Sequence, residues 1–296
     1  MSPILPQDGV HLARIMADLR VRPALPEDRE RILAISAKIW EGEDYIPHVL
    51  DRWLSEGGLF VVELSGKVVG FAKNTELSPG EIWLEGLRVD PEHQGKGVAK
   101  ALARAQLEAA LAKKPRSVRL ATVEENLASL HIAQELGFRE IARFSYLEAD
   151  VVEPKSLPQA EKPEPREAWD FLQRSSAFSE ARGLVGLGWR FRTLTFDFLT
   201  ELYHEGNVFA PGKDLSALLI VFPDPYTPEE ILALAFLDGE ELALEKLLHL
   251  AHGLAARQGH RILSAMVADP WLYTFLARRG FQSVPELGAV VVLEYG

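Results

Sequence analysis

The stretch Glu81–Ala99, EIWLEGLRVDPEHQGKGVA, constrains this chain more than any other. Ile82, Leu84, Leu87 and Val89 are spaced as a strand with Gly86 inside it. Asp90-Pro91 ends the strand, because proline brings no ladder donor and bends the path. Gln94-Gly95-Lys96-Gly97-Val98-Ala99 then leads into an amphipathic run through Lys113, which predicts a helix. A glycine loop opening a helix turns several backbone N–H groups toward one point, and their partial positive charge suits an anion such as a pyrophosphate. A G-x-G alone is equally an ordinary tight turn, so the surrounding order of elements has to decide.

An anion site stands out in this chain because its surface is acidic. The 296 residues carry a net charge of −11, which sets the chain against nucleic acid and anionic membrane as partners. There is no cysteine, so disulfides, thiol nucleophiles and thiolate-held metals are excluded. No apolar run reaches membrane-spanning length and no leader is evident at the start, which makes a cytoplasmic location the expectation. The length allows two domains.

The elements around the loop read as follows. Residues 1–18 form an extension with a short helix near His11–Met16 or no fixed structure. Leu19–Arg22 reads as a strand, and Glu27–Ser36 as a helix with acids in its first turn. Trp40–Pro47 (WEGEDYIP) is a loop rich in glycine, acids and an aromatic, followed by a helix from Val49 to Ser55. Leu59–Leu64 and Val68–Phe71 flank Ser65-Gly66-Lys67 as a hairpin. After the loop and its helix come a strand at Val118–Val123, a helix at Asn126–Leu136 closed by Gly137, and a strand at Phe138–Asp150. The order is β-α-α-β-β-β-α-β-α-β.

That order, with Gln94-x-x-Gly97-x-Ala99 after the fourth strand, resembles the GNAT superfamily of acyl-CoA-dependent N-acetyltransferases, whose loop reads Gln/Arg-x-x-Gly-x-Gly/Ala. Asn126-x-x-Ser129 and Leu136-Gly137-Phe138 are similar to the second half of the same signature. The resemblance covers residues 19–150. Within it, Glu43-Asp44-Tyr45-Ile46-Pro47 before Trp53-Leu54, together with Leu84-Glu85-Gly86-Leu87-Arg88-Val89, resembles the histidine N-acetyltransferase branch.

The resemblance implies acetyl-CoA as co-substrate, without a metal. Backbone from Gln94, Gly95, Lys96, Gly97, Val98 and Ala99 would hold the pyrophosphate. Gly86 would carry a bulge that splays the fourth strand from the fifth, and backbone at Leu87, Arg88 and Val89 would hold the pantetheine and polarise the thioester carbonyl. Asn126 and Ser129 would add cofactor contacts. Glu85, beside the expected thioester, reads either as the base that takes the amine proton or as a structural carboxylate. The family's tyrosine acid, seven residues after the asparagine, is Ala133 here. Tyr273 is not assigned that role, and His131 reads as a surface or packing histidine. Asp44 and Tyr45 lie in the loop that lines the acceptor site in the family. An acidic, aromatic lining suits a cationic or ring-bearing amine; the alternative is a solvent-exposed loop.

Val151–Ala168 holds four prolines among charges and reads as a semi-extended linker. Residues 169–296 then repeat the back half of the first domain. Strands at Trp189–Thr193, Leu215–Phe222, Ile231–Leu237, Ile262–Val267 and Val290–Tyr295 accompany helices at Phe196–Glu205, Leu242–Gln258 and Trp271–Arg279. Arg279-Gly280-Phe281 matches Leu136-Gly137-Phe138, 41 positions after Gly239 where the first copy has 40 after Gly97. The turn is cut to Asp238-Gly239, and Glu240 and Glu241 occupy the helix start, satisfying it and repelling a pyrophosphate. The expectation is an α/β chain of two GNAT-like domains, each a mixed, mostly antiparallel sheet flanked by helices, with the C-terminal one degenerate; an unrelated α/β domain is the alternative. His249, His252 and His260 lack ligand spacing and read as packing or surface residues. The expected function is direct acetyl transfer to a primary amine of a small molecule, such as an amino acid. The alternatives are a non-catalytic acyl-CoA sensor and a protein N-acetyltransferase.

Overall fold

The computed structural model describes residues 18–284 and 287–296. The short helix expected near His11–Met16 lies outside them. In chain order the elements are β1 (Leu19–Pro23), α1 (Arg29–Ser36), α2 (Ile46–Glu56), β2 (Leu59–Leu64), β3 (Lys67–Ser78), β4 (Glu81–Val89), α3 (Val98–Ala112), β5 (Ser117–Val123), α4 (Leu127–Glu135) and β6 (Phe138–Asp150). They continue with α5 (Pro165–Leu172), α6 (Ser176–Glu180), β7 (Leu184–Leu187), β8 (Arg190–Thr193), α7 (Phe196–Glu205), β9 (Val208–Phe209), β10 (Ala217–Pro223) and β11 (Ile231–Gly239). The last are α8 (Glu241–Gln258), β12 (Ile262–Val267), α9 (Pro270–Ala277), β13 (Gln282–Ser283) and β14 (Val290–Tyr295).

Cα proximity divides the chain into two units. The first holds the chain through Leu120, with His131–Phe138 and Tyr295–Gly296; the second holds Ala121–Leu130 and Arg139–Glu294. In the first unit the strand order is β1-β2-β3-β4-β5, antiparallel except for β4 on β5. The β2–β3 hairpin turns through Ser65 at φ 51° and Gly66 at φ 77°, the two left-handed residues that a twist-matched tight turn requires. One face of this sheet packs Val62, Ala72 and Val89 against Val98 and Leu102 of α3. Ile32 and Ile35 of α1, and Ile46, Leu50 and Trp53 of α2, are fully buried.

In the second unit the order is β14-β6-β12-β11-β10-β9, with β13 also on β6 and with β7–β8 as a separate hairpin. β11 and β12 run parallel from Ile231↔Ile262 to Leu234↔Ala265, with α8 between them in sequence, and the other registered pairs are antiparallel. Residues 151–164 contain no helix or strand beyond a bridge from Glu161 to Ala210, and they lie along α8. His252 Nδ1 accepts from the Val152 amide at 3.2 Å, and His249 Nε2 lies 3.0 Å from the Ser156 carbonyl. Both histidines thus make packing contacts.

Several boundaries differ from expectation for physical reasons. α2 begins at Ile46, ahead of the expected Val49, because Pro47 sits in its first turn, where no amide donor is needed. β3 runs on from Phe71 to Ser78 through Lys73, Asn74 and Glu76, a polar stretch without strand periodicity. Tertiary partners carry it: the Lys73 ammonium donates to the Gly57 carbonyl at 2.5 Å, and the Asn74 side-chain amide donates to the Gln106 carbonyl at 2.8 Å. α5 starts at Pro165, inside the expected linker. α6 and β7 are short elements without a pattern of their own. Glu240 and Glu241 do stand at the start of α8, but neither side chain caps it; Glu241 pairs with Arg279 at 3.2 Å.

The bulge expected at Gly86 is present. β4 pairs with β3 as Lys73↔Glu85 and Phe71↔Arg88, so Gly86 and Leu87 together face Ala72. Gly86 has φ 65°, and a Cβ placed there would lie 2.6 Å from Trp53 Cη2. A Gly86→Ala substitution combines left-handed strain with a clash against a buried ring. It should cost about 2–4 kcal/mol of stability in urea unfolding of the whole chain. A loss below ~0.5 kcal/mol would mean that the bulge is not held by this packing.

Candidate active site

Beyond the bulge, β4 parts from its neighbour. The parallel register with β5 runs from Glu81↔Ser117 to Trp83↔Arg119, and Glu85–Val89 lies past it. The bulge also changes which side chains share a face. Positions three apart on a regular strand point to opposite faces. Here Glu85 and Arg88 sit opposite Lys73 and Phe71, which are two apart, so both side chains stand on the face away from α3. They are about 7 Å apart along the strand.

Glu85 is 8% exposed, and its Oε1 accepts from the Thr75 hydroxyl. Lys73, directly across, is buried, and its ammonium lies 3.5 Å from Glu56 as well as on the Gly57 carbonyl. Arg88 reaches the loop between α1 and α2. Its Nε and Nη2 each donate to Asp44 at 3.1 Å, while Ser36 donates to the same carboxylate at 3.0 Å. The guanidinium lies 4.3 Å from the Trp40 ring centre and 5.4 Å from that of Tyr45, which meets Trp53 edge-on at 6.2 Å. Asp44, only 4% exposed, is therefore an internal counter-ion of Arg88. That carboxylate is thus closed, while Trp40, Glu41, Gly42 and Glu43 of the same loop are exposed.

The glycine loop follows directly. Asp90 caps a single 3-10 turn, Pro91–His93; Gln94 is extended, Gly95 has φ 73°, and Gly97, at φ 78°, opens α3. The first intrahelical bond is Ala101 N to Gly97 O at 3.0 Å, so the amides of Val98, Ala99 and Lys100 point out of the helix end. No acidic residue stands in that first turn. A Cβ at Gly95 would meet nothing within 4 Å, and Lys96 folds back to the Glu92 carbonyl at 2.9 Å. Open space, outward amides and absent carboxylates fit a phosphate-bearing group.

Asp90 anchors the loop. It is 1% exposed and accepts from Arg31 at 2.5 Å, from Lys38 at 3.0 Å and from the Glu92 amide at 3.3 Å. Gln106 of α3, also buried, donates to the Lys73 carbonyl at 2.9 Å, beside the bulge. Glu85, Leu87, Arg88, Val89 and Gln94–Ala99 belong to the first unit with Asp44 and Tyr45. Asn126 and Ser129 belong to the second, where the Asn126 side-chain Oδ1 accepts from the Ser129 amide at 3.1 Å and so caps α4. Ala133 is buried, and His131 is an exposed side chain 3.8 Å from Glu135. Among the described residues no cluster of histidines and carboxylates is placed to hold a metal ion.

A family model described as Acetyltransferase (GNAT) family matches residues 27–138. Residues 27–138 form a GNAT domain. Within the chain, 102 residues are 38% identical to a histidine N-acetyltransferase from Scomber australasicus, covering 33% of this chain and 30% of that one. A mycothiol acetyltransferase from Amycolatopsis mediterranei is 30% identical over 156 residues, 46% of this chain and 48% of that one. The chain thus matches less than half the length of these relatives. A solved GCN5-related N-acetyltransferase from Sphaerobacter thermophilus has the same fold, with a TM-score of 0.63 at 15% identity over 94% of this chain and 95% of that one.

The GNAT domain spans the bulge, the glycine loop and the Asp44–Arg88 pair. Sequence reading missed Trp40 as a site residue and Asp90, Thr75 and Gln106 as supports. Trp40 at φ 46° and Glu41 at φ 57° form a strained turn ahead of Gly42 at φ 95°, and the other three act mainly through partners far along the chain.

Burial pushes the Asp90 carboxyl up, but hydrogen bonds from Lys38, Arg31 and the Glu92 amide outweigh it and hold the group below the ordinary carboxylate range. A depressed folded value means that this contribution is full above about pH 4 and is lost as pH falls through the folded value. Asp90→Asn should lose on the order of 2 kcal/mol at neutral pH. In urea unfolding across a pH series, its gap to the parent should stay flat from pH 8 to 5 and narrow below about pH 4. A gap that widens in acid would contradict the assignment.

Proposed function

We propose that the chain is an acetyl-CoA-dependent N-acetyltransferase that acts by direct transfer on the primary amine of a small molecule, with amino acids as the favoured class. The observation that carries this reading is the bulged, unpaired end of β4 leading into an acid-free, glycine-opened helix. The amides of Gly95–Ala99, with Gln94 and Lys96 beside them, hold the pyrophosphate. Backbone at Leu87–Val89 holds the pantetheine arm and aims donors at the thioester carbonyl, worth on the order of 3 kcal/mol to such a reaction. Acetyl-CoA, when bound, supplies an activated acetyl group. Glu85, oriented by Thr75, accepts the proton that the amine sheds as its C–N bond forms and the C–S bond breaks. Ala133 offers no proton to the departing sulfur, and a thiol pKa near ~8.5 lets it leave as thiolate.

The relatives, a histidine N-acetyltransferase and a mycothiol acetyltransferase, support small-molecule acceptors. The net acidity argues against nucleic acid or membrane partners and suits a cytoplasmic setting. No helix among the described residues is long and apolar enough to cross a membrane.

In this reading residues 19–150 are the catalytic domain and 169–296 a degenerate GNAT-like one. Support comes from a second parallel strand pair, β11–β12, and from a second bulge. Ile220↔Phe236 and Val221↔Leu234 leave Ala235 as the extra residue of β11. There the space past the parallel pairing is filled. A Cβ at Gly186 of β7 would lie 2.8 Å from the Met266 Cβ, and the cavity left among Leu184, Leu234, Phe236 and Met266 is about 30 Å³. One cofactor per chain follows. Ala133 in place of an acid keeps a non-catalytic acyl-CoA sensor as the second reading.

Calorimetry with acetyl-CoA should give one site per chain, and Gly97→Glu should weaken it at least tenfold by strain and charge. Thiol release should follow when a panel of amino acids, polyamines and aminoglycosides is offered. Absence of acetyl-CoA binding to the parent would overturn the proposal; binding without turnover across the panel would favour the sensor.

A further inference from the structure

Trp40 holds a place that its chemistry alone does not explain. It is 60% exposed, and its backbone has φ 46°, a conformation that disfavours a bulky residue, followed by Glu41 at φ 57°. Two consecutive left-handed non-glycine residues, here ahead of Gly42 at φ 95°, are retained at a cost in stability when something fixes the turn. The amides of Gly42 and Glu43 donate to the Ile39 and Trp40 carbonyls within it, and the indole adds a contact of its own: it covers the Arg88 guanidinium, 4.3 Å from its ring centre, on the bulged end of β4. Arg88 in turn shares a face with Glu85, because the bulge brings those two side chains to one side of the strand. A large, half-open aromatic surface therefore stands on the face of β4 that carries the proposed base, within about two strand residues of it.

The electrostatics narrow what that surface can read. Asp44 is buried and paired bidentately with Arg88, so that carboxylate is closed to a cation, while Glu41 and Glu43 of the same loop are exposed. Arg88 also lies against the indole, so a second cation on that ring meets like charge. A planar group that is uncharged near neutral pH, such as an imidazole or phenyl ring, avoids that repulsion at the indole and gains stacking.

We infer that Trp40 is a specificity-determining residue that stacks on a planar, uncharged ring of the acceptor, so that the preferred substrates are aromatic or heteroaromatic amino acids. The inference rests on the acetyltransferase reading above. Arg88 and Asp44 are positioning residues for the indole, and Trp40 stands aside from the cofactor loop.

The test is steady-state thiol release by the full chain at saturating acetyl-CoA, with histidine and leucine as a ring-bearing and an aliphatic acceptor of similar size. The parent should favour histidine at least tenfold in kcat/KM. Trp40→Ala should raise KM for histidine about tenfold while leaving kcat, KM for leucine and KM for acetyl-CoA within twofold, and Trp40→Phe should restore most of the loss. Equal losses on both acceptors, a changed KM for acetyl-CoA, or no change at all would overturn the inference and leave the acetyltransferase reading standing. No thiol release by the parent with any amine would overturn both.

Discussion

One extra residue in β4 sets out the candidate site. A strand that kept its register past Glu85 would send Arg88 to the α3 face and continue toward β5. Gly86 breaks that pattern because it takes φ 65° and leaves room for Trp53 where a side chain would stand. The consequences are geometric. Glu85 and Arg88 come to one face, the end of β4 lies beyond its pairing with β5, and the strand runs straight into the turn that opens α3. A bulge interrupts the local ladder and leaves backbone groups short of partners. Buried Gln106 supplies a donor to the Lys73 carbonyl beside the interruption, so α3 both starts from the glycine loop and braces the bulge that precedes it.

The second support is the carboxylate of Asp90. Alone in the interior it would be costly. It is held by Arg31 and Lys38 from the α1 side and by the amide of its own 3-10 turn, so the loop is fixed relative to α1 before any ligand arrives. Arg31 also donates to the Val68 carbonyl at 2.8 Å, which joins α1, β3 and the loop in one network. Preorganised amides cost less to aim at an anion than amides on a mobile loop.

How much of this a reader could take from the sequence follows from where each signal resides. Gly86, Gly95, Gly97 and Gly137 were legible because each meets a left-handed backbone that other residues rarely adopt, and that demand is local. The alternation of β4 and the period of α3 were local too. The rest depends on partners far along the chain. β3 could not be followed past Phe71, because the Lys73 ammonium and the Asn74 amide donor are held by the Gly57 and Gln106 carbonyls, far from them in sequence. Asp44 read as an acceptor carboxylate because its residue type and loop were visible, while the arginine that neutralises it is 44 positions away. Trp40 carried no signal, since a left-handed tryptophan has no sequence signature.

The two halves of the chain separate backbone device from ligand chemistry. β11 repeats the bulge at Ala235 and runs parallel with β12 before α8, as β4 does with β5 before α3. Yet α8 begins with Glu240 and Glu241 where α3 begins with Gly97, Val98 and Ala99, and a Cβ at Gly239 would lie 2.4 Å from Ala217 where one at Gly95 would meet nothing within 4 Å. A carboxylate near a helix N-terminus competes for the field that would favour a phosphate. A filled opening beside β11 leaves no edge for an extended ligand to join. A strand bulge and a parallel crossover thus occur in both halves. What distinguishes the GNAT domain's loop is what is missing from it, namely side chains and negative charge, and that is why a few glycines weigh more in the functional reading than the sheet they are attached to.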